Sequence, residues 1–311
     1  KGETMADQLQ VISAALSDKG RKRDNNEDYV LFFEPGDENI IATSGNLYIV
    51  ADGVGGEARG EYASRFAAEK VLYEYYTRTQ ELPSERLRQG MELANREIQE
   101  FTRDTQSAKM ATTLVAAVLI GDKLTVASIG DSRAYHFREG RVEQITRDHN
   151  LVGEMVASGL MTEEEGEKSD VKNRLLRSVG GHPEFKPEFF INLPVRPGDR
   201  ILLCTDGLTR YARKEIIEEY LKGQDIQEVV RKLVKYAYDA GGADNITALL
   251  VEVRSAPAGY QQPQRGTTPR PVALKDLVQF DMAETLNVQP SPEGKECVAT
   301  WPSSFQRMPR A

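Results

Sequence analysis

Residues 47–56 read Leu47-Tyr48-Ile49-Val50-Ala51-Asp52-Gly53-Val54-Gly55-Gly56. The apolar, partly β-branched run up to Ala51 predicts a buried strand, and the glycines after it predict a sharp turn. A strand end fixes the position of the Asp52 carboxylate, while Gly53 lets the backbone turn and present its carbonyl oxygen. The stretch therefore predicts a strand that ends in oxygen ligands.

Three other short segments also place a carboxylate beside a strand end or a tight turn. They are Asn26-Glu27-Asp28, Thr205-Asp206-Gly207 and Ala243-Asp244-Asn245. A single Asp-Gly pair is usually only a turn. If several such carboxylates meet in a poorly solvated place, however, their repulsion implies bound cations. Because no His or Cys pair stands at ligand spacing, an all-oxygen site would favour Mg or Mn over Zn.

The pattern along the rest of the chain favours an α+β fold. Two long amphipathic stretches predict helices at Ala58–Thr79 and Ser84–Thr105. Strands are predicted at Val11–Leu16, Tyr29–Phe33, Leu47–Ala51, Thr112–Ile120, Lys123–Ile129, Arg133–Phe137, Phe189–Leu193, Arg200–Cys204 and Ile246–Val253. Turns at Gly121-Asp122 and Glu139-Gly140 predict two hairpins. This many strands with few helices between them favours antiparallel sheets faced by helices over a repeating β-α-β fold.

We place the folded domain at residues 9–254. Inside it, Arg147–Asp170 is a polar region that contains glycines and an acidic run. Such a composition predicts short helices in a mobile flap of about residues 147–180, and loops of this kind often bear on function.

The composition of the chain changes after this domain. Residues 255–311 are rich in Pro, Gln, Ser and Thr, which predicts a linker and a tail. One weak helix is predicted near Ala273–Leu286. Trp301 and Phe305 could dock a partner there, but the composition of the tail favours disorder.

Composition limits the function classes. The 311 residues carry a formal net charge of −8 and are 40% apolar, and they contain no Lys/Arg-rich block that would suit a nucleic-acid surface. No apolar run reaches the roughly 18 residues needed to span a bilayer, and the first residues lack the apolar core of a signal peptide. We therefore expect a cytoplasmic protein with reduced thiols at Cys204 and Cys297.

In their residues and in their order along the chain, these segments resemble the type 2C, metal-dependent family of Ser/Thr protein phosphatases, especially its bacterial branch. The resemblance covers Ser17 to Val253. It rests on Ser17-Asp18-Lys19-Gly20 to Arg23, Asn26-Glu27-Asp28, Val50-Ala51-Asp52-Gly53-Val54-Gly55-Gly56, Thr112-Thr113-Leu114, Gly130-Asp131-Ser132-Arg133, Asp148-His149, Thr205-Asp206-Gly207-Leu208 and Asp244-Asn245-Ile246-Thr247. It implies a central β-sandwich of two antiparallel sheets flanked by helical layers, with a metal cluster at one end.

The resemblance also implies a set of metal ligands. Asp52 would bridge two Mg or Mn ions. Asp206 and Asp244 would complete the shell of the first metal, and Glu27 with the Gly53 carbonyl would bind the second.

Further roles follow from the same resemblance. Asp131 would join Asp206 around a third, weaker metal, and Asp28 would orient metal-bound water. A water or hydroxide that bridges the two ions would attack the phosphomonoester in line, without a covalent enzyme intermediate.

Arg23 is implied to bind the substrate phosphate. Its planar guanidinium can hold phosphate in a bidentate fashion, which Lys does not reproduce. Because Arg21 and Lys22 precede it, a solvated basic face is the alternative interpretation.

One position departs from the family pattern. Many eukaryotic relatives carry His directly after this Asp-Gly as a proposed acid to the leaving alcohol, whereas this chain has Val54. For His149, in the Asp148-His149 element, we favour a structural role. The proton donor is therefore unassigned.

The implied substrates are proteins phosphorylated on Ser or Thr, with a cognate Ser/Thr kinase as a further partner, and we expect a monomer. Two alternatives stay open. A catalytically inactive regulatory module of the same fold would show broken ligands, which this chain does not. A phosphatase specific for a phosphoserine regulator of sigma factors would differ in partner but not in chemistry.

Overall fold

The computed structural model describes residues 9–55, 59–104, 110–162, 165–166, 169, 171, 174–181 and 185–255. Parts of the predicted flap lie outside these ranges. So does the chain after residue 255, with the predicted helix near residues 273–286, the thiol Cys297 and the aromatic residues Trp301 and Phe305.

The described strands form two antiparallel sheets. They are β1 Leu9–Asp18, β2 Asp28–Phe33, β3 Asn46–Val54, β4 Ala111–Thr112, β5 Leu114–Ile120, β6 Lys123–Ile129, β7 Arg133–Arg138, β8 Arg141–Gln144, β9 Glu188–Pro194, β10 Arg200–Cys204 and β11 Ile246–Ser255. The first sheet has the order β1-β11-β10-β7-β8, and the second has the order β2-β3-β5-β6-β9 with β4 paired to β3. Every pairing is antiparallel, and each predicted strand lies within or across these elements.

Helices cover the outer faces of both sheets. The described helices are α1 Glu38–Thr43, α2 Arg59–Thr77, α3 Pro83–Asp104, α4 Leu151–Ala157, α5 Asp206–Thr209, α6 Lys214–Tyr220 and α7 Ile226–Asp239. Helices α2 and α3 pack together and against the second sheet, while α7 packs against β1 and β11 of the first. The layers are therefore helix, sheet, sheet and helix, as predicted. Among the described helices, none combines the length and apolarity that a bilayer crossing needs.

Helix α7 corrects the prediction of only two long helices. Its buried residues recur at intervals of three and four, as on one face of an amphipathic helix. They are Ile226, Val229, Val230, Leu233, Val234 and Ala237. The Asp225 side chain accepts a hydrogen bond from Gln227 N and caps the first turn. Because burial of a Val, Leu or Ile side chain contributes roughly 1.5–3 kcal/mol, this face anchors α7 to the first sheet.

The predicted strand Thr112–Ile120 is interrupted at Thr113. Its backbone N donates to Asp52 O at 2.9 Å, and its hydroxyl accepts from Asp52 N at 2.9 Å. Regular strand pairing is thus interrupted for one residue, and Thr113 instead holds the backbone of Asp52. Both predicted hairpins are present, and the second turns through Glu139 and Gly140 with positive φ angles of 53° and 80°.

The strand ends that carry the acidic segments share one end of the sandwich. Asp28 lies opposite Asp52 in the β2–β3 register. In the first sheet, Asp18 at the end of β1 lies opposite Ile246 at the start of β11. Strand β10 ends at Cys204, which lies opposite Ala248 near the start of β11. The acidic segment after β10 and the one before β11 therefore lie at the same end of the first sheet.

Candidate metal centre

Asp52 lies at the centre of a group of carboxylates. It is partly buried at the end of β3, with its backbone held by Thr113. Burial raises the pKa of Asp52 well above its usual range, and the nearby charges of Asp28, Asp206, Asp131 and Asp244 raise it further. The structure therefore brings together five of the predicted site residues.

Asp28 faces this group from β2. Its Oδ2 accepts hydrogen bonds from the hydroxyls of Thr205 at 2.8 Å and Thr247 at 2.7 Å, which fix the carboxylate. Its Oδ1 is buried and has no hydrogen-bond partner among the described residues. Burial raises the pKa of Asp28 to about 7 despite the two hydroxyl donors, and Asp206 adds to the shift.

Asp131 reaches the group from the turn after β6. It is buried, and its Oδ2 accepts a hydrogen bond from Asn150 Nδ2 at 3.1 Å. Burial, followed by the charges of Asp206 and Asp148, raises the pKa of Asp131 to about 7. The hydrogen bond from Asn150 opposes this shift.

Asp206 opens the short helix α5 directly after β10. Its Oδ1 is buried without a hydrogen-bond partner in the part of the chain that the structure describes, and its Oδ2 lies 3.4 Å from an Arg210 nitrogen. Burial and then the charge of Asp244 raise the pKa of Asp206. A Cβ on the next residue, Gly207, would come within 1.8 Å of Asn245 O, so glycine is needed for the close approach of the two acidic loops.

Asp244 is held by two guanidinium groups. Arg23 lies 2.8 Å from Asp244 Oδ1, and Arg210 lies 3.5 Å from Oδ2. The Arg23 side chain is 49% exposed, so it stands at the solvent edge of the acidic group. The residue predicted to bind phosphate thus pairs here with a predicted metal ligand.

Glu27 and Gly53 form the other flank. Glu27 O accepts from Gly53 N at 3.1 Å, and Glu27 N donates to Asn245 Oδ1 at 2.8 Å. A Cβ on Gly53 would meet Gly60 O at 2.1 Å, and one on Gly60 would meet the Glu27 carboxylate at 2.7 Å. Glycine is therefore required at Gly53, where the clash is with backbone, and at Gly60 it leaves the Glu27 carboxylate in its present position.

The donor set fits hard divalent cations, because it consists of crowded carboxylate oxygens with unpartnered buried atoms on Asp28 and Asp206. Within the described ranges, no three His, Cys, Asp or Glu side chains already stand in the arrangement of a formed metal site. Arg23 and Arg210 engage the Asp244 carboxylate in this arrangement. Cation binding at this group would therefore involve small side-chain rotations.

Comparison with known proteins decides the family. The family model described as protein phosphatase 2C matches residues 21–250. The chain belongs to the protein phosphatase 2C family.

Individual relatives agree with this assignment. The chain is 35% identical over 242 residues to the serine/threonine phosphatase stp of Listeria monocytogenes, covering 76% of this chain and 93% of that protein. It is 32% identical to the crystal structure of the Mycobacterium tuberculosis serine/threonine phosphatase PstP/Ppp, with a TM-score of 0.68 and coverage of 79% and 99%. A structure of the PstP catalytic domain in complex with two manganese ions matches with 32% identity, a TM-score of 0.67 and the same coverage.

These matches confirm the predicted family and the predicted α+β sandwich. The chain is a serine/threonine protein phosphatase, and phosphatases of the 2C family use metal ions.

The structure shows the surroundings of Val54, which departs from the family pattern, and of His149, for which a structural role was predicted. Val54 follows Gly53 at the end of β3 and is 45% exposed, so it presents an apolar surface beside the carboxylates. His149 is 1% exposed, and its Nδ1 accepts a hydrogen bond from Gly130 N at 3.1 Å. This contact supports the predicted structural role of His149.

Some residues of the phosphatase site were not predicted. Arg210 follows Asp206 by four residues, a spacing that signals contact once Asp206 is placed at the start of a helix. Thr205 and Thr247 belong to the quoted motifs without a predicted role, and their hydroxyls meet at Asp28 through the pairing of β10 with β11. Asn150 gave no signal of its contact with Asp131.

Proposed function

We propose that this phosphatase hydrolyses phosphoserine and phosphothreonine monoesters on other proteins at the acidic end of its sandwich, with two Mg or Mn ions and a third, weaker ion beside Asp131. The observation that carries the proposal is the convergence of carboxylates from four other chain segments on Asp52. Buried charges of one sign repel one another, and divalent cations would turn that repulsion into binding.

The residues divide into two metal-binding groups. Asp52 would belong to both groups and bind both ions. Asp206 and Asp244 would hold the first ion, and Glu27 with the Gly53 carbonyl would hold the second. Asp131 would share the third ion with Asp206.

Bound divalent ions would lower the pKa of water towards neutrality and neutralise charge on the phosphoryl oxygens. The protein supplies the positioning. Asp28 is fixed by two hydroxyls on Oδ2, and its Oδ1, which has no partner within the described ranges, is available to accept a proton from a water molecule. Arg23, at the solvent edge, can turn from Asp244 to the phosphate and bind two of its oxygens.

The substrate enters from solvent, beside Val54 and Arg23. An apolar side chain cannot protonate a leaving alkoxide, so Val54 does not replace the His of many relatives. Phosphorylated side chains on loops or tails of other proteins suit a site at the end of a sandwich. A Ser/Thr kinase with overlapping substrates is the implied opposing enzyme.

The test is an initial-rate assay on a phosphothreonine peptide with chelator, and then with millimolar Mn or Mg. We expect activity only with metal, and its loss in Asp206→Asn. Asp239→Asn is the matched control, because Asp239 is an exposed carboxylate that pairs with Arg21. Hydrolysis that persists in chelator would contradict the metal-dependent mechanism. Confirmed metal binding without hydrolysis of any phosphopeptide would favour an inactive regulatory module.

A further inference from the structure

Arg210 brings a second guanidinium group to the acidic end of the sandwich. It closes the short helix α5, where its backbone N donates to Asp206 O at 2.8 Å. Its side chain therefore lies on the same face of the chain as the Asp206 side chain. Its Nη2 lies 3.4 Å from Asp206 Oδ2 and 3.5 Å from Asp244 Oδ2, and within the described ranges these carboxylates are its ion-pair partners. Arg210 thus contacts the two acids proposed to hold the first ion.

Arg23 contacts one of the same carboxylates. Its Nη2 lies 2.9 Å from Asp244 Oδ2, the oxygen that Arg210 also contacts. The two Nη2 atoms are therefore separated by no more than these two contact distances together, although like charges repel one another. The negative charge of Asp244 is what makes this close approach of two guanidinium groups favourable.

The loop before Asp244 fixes the chain segments that carry both arginines. Arg21 N donates to Gly242 O at 2.7 Å, so the basic run of the sequence rests on this loop. On the other segment, the hydroxyl of Tyr211 accepts a hydrogen bond from Ala243 N at 3.3 Å. Backbone groups of one loop therefore hold the neighbours of both arginines, and they set the distance between the two guanidinium groups.

Cation binding would leave these two positive charges without their common partner. When Asp206 and Asp244 hold a divalent ion, as proposed, their oxygens are no longer available to Arg210. Arg23 then binds the phosphate of the substrate, and the Arg210 guanidinium remains beside it with a side chain that is only 19% exposed. A charge in such a position is unfavourable unless it is paired. A second anionic group on the substrate would pair with it.

We propose that Arg210 determines substrate specificity by binding a second oxyanion, a phosphate or a carboxylate, two residues away from the phosphorylated Ser or Thr. The inference rests on the proposed function, because it requires an ion at Asp206 and Asp244 and the phosphate at Arg23. In an extended peptide, side chains two residues apart point to the same side and lie about 6.5–7 Å apart, which suits two neighbouring guanidinium groups. Adjacent side chains point to opposite sides.

The first test compares phosphothreonine peptides that differ at one position. Ala, Glu or a non-hydrolysable phosphonate analogue of phosphoserine is placed two residues before or after the phosphothreonine, and in a further peptide Glu is placed next to it. We would measure kcat/KM at saturating Mn²⁺ for the parent, Arg210→Gln, Arg210→Lys and the control Arg231→Gln. The control removes the same charge from an exposed position on α7. Because each variant is scored by the ratio of two peptides, effects of the substitution on Mn²⁺ binding cancel.

A binding measurement separates recognition from turnover. Peptides that carry a phosphonate analogue of phosphothreonine would be titrated by fluorescence anisotropy, with Mn²⁺ and with chelator. We expect Glu two residues away to strengthen binding to the parent with Mn²⁺ but not with chelator, because Arg210 stays on Asp206 and Asp244 when no ion is bound.

The parent and Arg231→Gln should favour a peptide with the second oxyanion over the Ala peptide by roughly tenfold, the size expected for one charge-assisted pair. Arg210→Gln should show no preference, and Arg210→Lys a smaller one, because an ammonium lacks the planar fork. A larger effect of the phosphonate than of Glu would identify a second phosphate as the preferred oxyanion, and the reverse would identify a carboxylate.

Three results would overturn the inference and leave the proposed function intact: no preference in the parent, a preference that persists in Arg210→Gln, or an equal effect of Glu at the adjacent position. The last result would indicate general electrostatic attraction. If the parent hydrolysed none of the peptides with Mn²⁺ present, the proposed function would be overturned together with this inference.

Discussion

The end of the sandwich opposite the acidic group also buries a carboxylate, but there the charge is paired. Burial alone would raise the pKa of Asp199, yet the hydrogen bonds from Arg138 and the proximity of His136 hold it below its usual range. At the acidic end, burial and neighbouring carboxylates raise the pKa of Asp28 and of Asp131 to about 7. The ionised form of an aspartate side chain is thus stabilised at one end of the fold and destabilised at the other.

The difference lies in the partners and not in burial. At the paired end, Arg200 contacts Glu252 between β10 and β11 and also donates to the carbonyl of Leu221, which ties the sheet to α6. At the acidic end, Arg23 and Arg210 pair with Asp244 and Arg210 also with Asp206, whereas Asp52 faces the charges of Asp28, Asp206, Asp131 and Asp244. Ion pairs between arginine and carboxylate groups stabilise the fold at the paired end. At the acidic end, carboxylates repel one another, and a bound cation would reduce that repulsion.

The largest expected effect comes from Asp52→Asn. With Mn²⁺, we expect kcat to fall by at least roughly 10²–10³-fold, the loss typical of removing one group that stabilises developing charge. In chelator, the same substitution should raise the free energy of unfolding by about 1 kcal/mol, because it removes a charge from a group of mutually repelling carboxylates. Phosphopeptide hydrolysis and urea unfolding would measure the two effects. Unchanged turnover at saturating metal would remove Asp52 from the bridging position.

The same change at the paired end should have the opposite sign. Asp199→Asn should lower the free energy of unfolding at pH 7 by about 2–3 kcal/mol, since it weakens charged hydrogen bonds around a buried group, and should leave kcat unchanged. A carboxyl with a lowered pKa stabilises the fold above its unfolded pKa of about 4 and loses that contribution as the pH falls further. Denaturant midpoints of variant and parent should therefore converge below about pH 4. A constant difference from pH 7 to pH 3 would rule out charge pairing as the cause.

A smaller effect is expected from Arg23 at the solvent edge of the acidic end, and Arg21 nearby provides the comparison. Arg23→Lys should lower kcat/KM for a phosphopeptide by about tenfold, because one ammonium cannot reproduce two parallel hydrogen bonds to phosphate. Arg21→Lys is the matched control, since Arg21 pairs with the exposed Asp239 and should not affect the rate. Equal rates for the two variants would return Arg23 to the solvated-face interpretation.

The strands and the predicted acids could be read from sequence because both depend on local pattern. Asp52 and Asp206 each follow an apolar run and precede glycine. Strands β3 and β10 lie in different sheets, so it is the packing of the two sheets that brings these strand ends together. Helix α7 could have been predicted in the same way. The apolar spacing from Ile226 to Ala237 is helical, and Asp225 is a good N-cap, so no tertiary contact was needed to find it.

The contacts that tune the site could not be predicted in this way. Asn150 and Asp131 are 19 residues apart, and their contact depends on how the base of the flap closes against the turn after β6. The hydroxyls of Thr205 and Thr247 meet at Asp28 because β10 and β11 pair in one register. Such contacts follow from tertiary structure, which a single sequence does not display.

The smallest expected effect concerns Arg210. It brings a positive charge to the acidic end of the sandwich, which makes that end more like the paired end. Its guanidinium lies 3.4 Å from Asp206 and 3.5 Å from Asp244, so it would compete with a cation at these residues for the same oxygens. Arg210→Gln should therefore strengthen Mn²⁺ binding by about fivefold, equivalent to about 1 kcal/mol for one charge at this range in a solvated setting. Arg210→Lys keeps the charge and should bind Mn²⁺ like the parent in a calorimetric titration. Weaker binding in Arg210→Gln would mean that Arg210 orients the two aspartates more than it repels the cation, and the acidic end would then depend on pairing as the opposite end does.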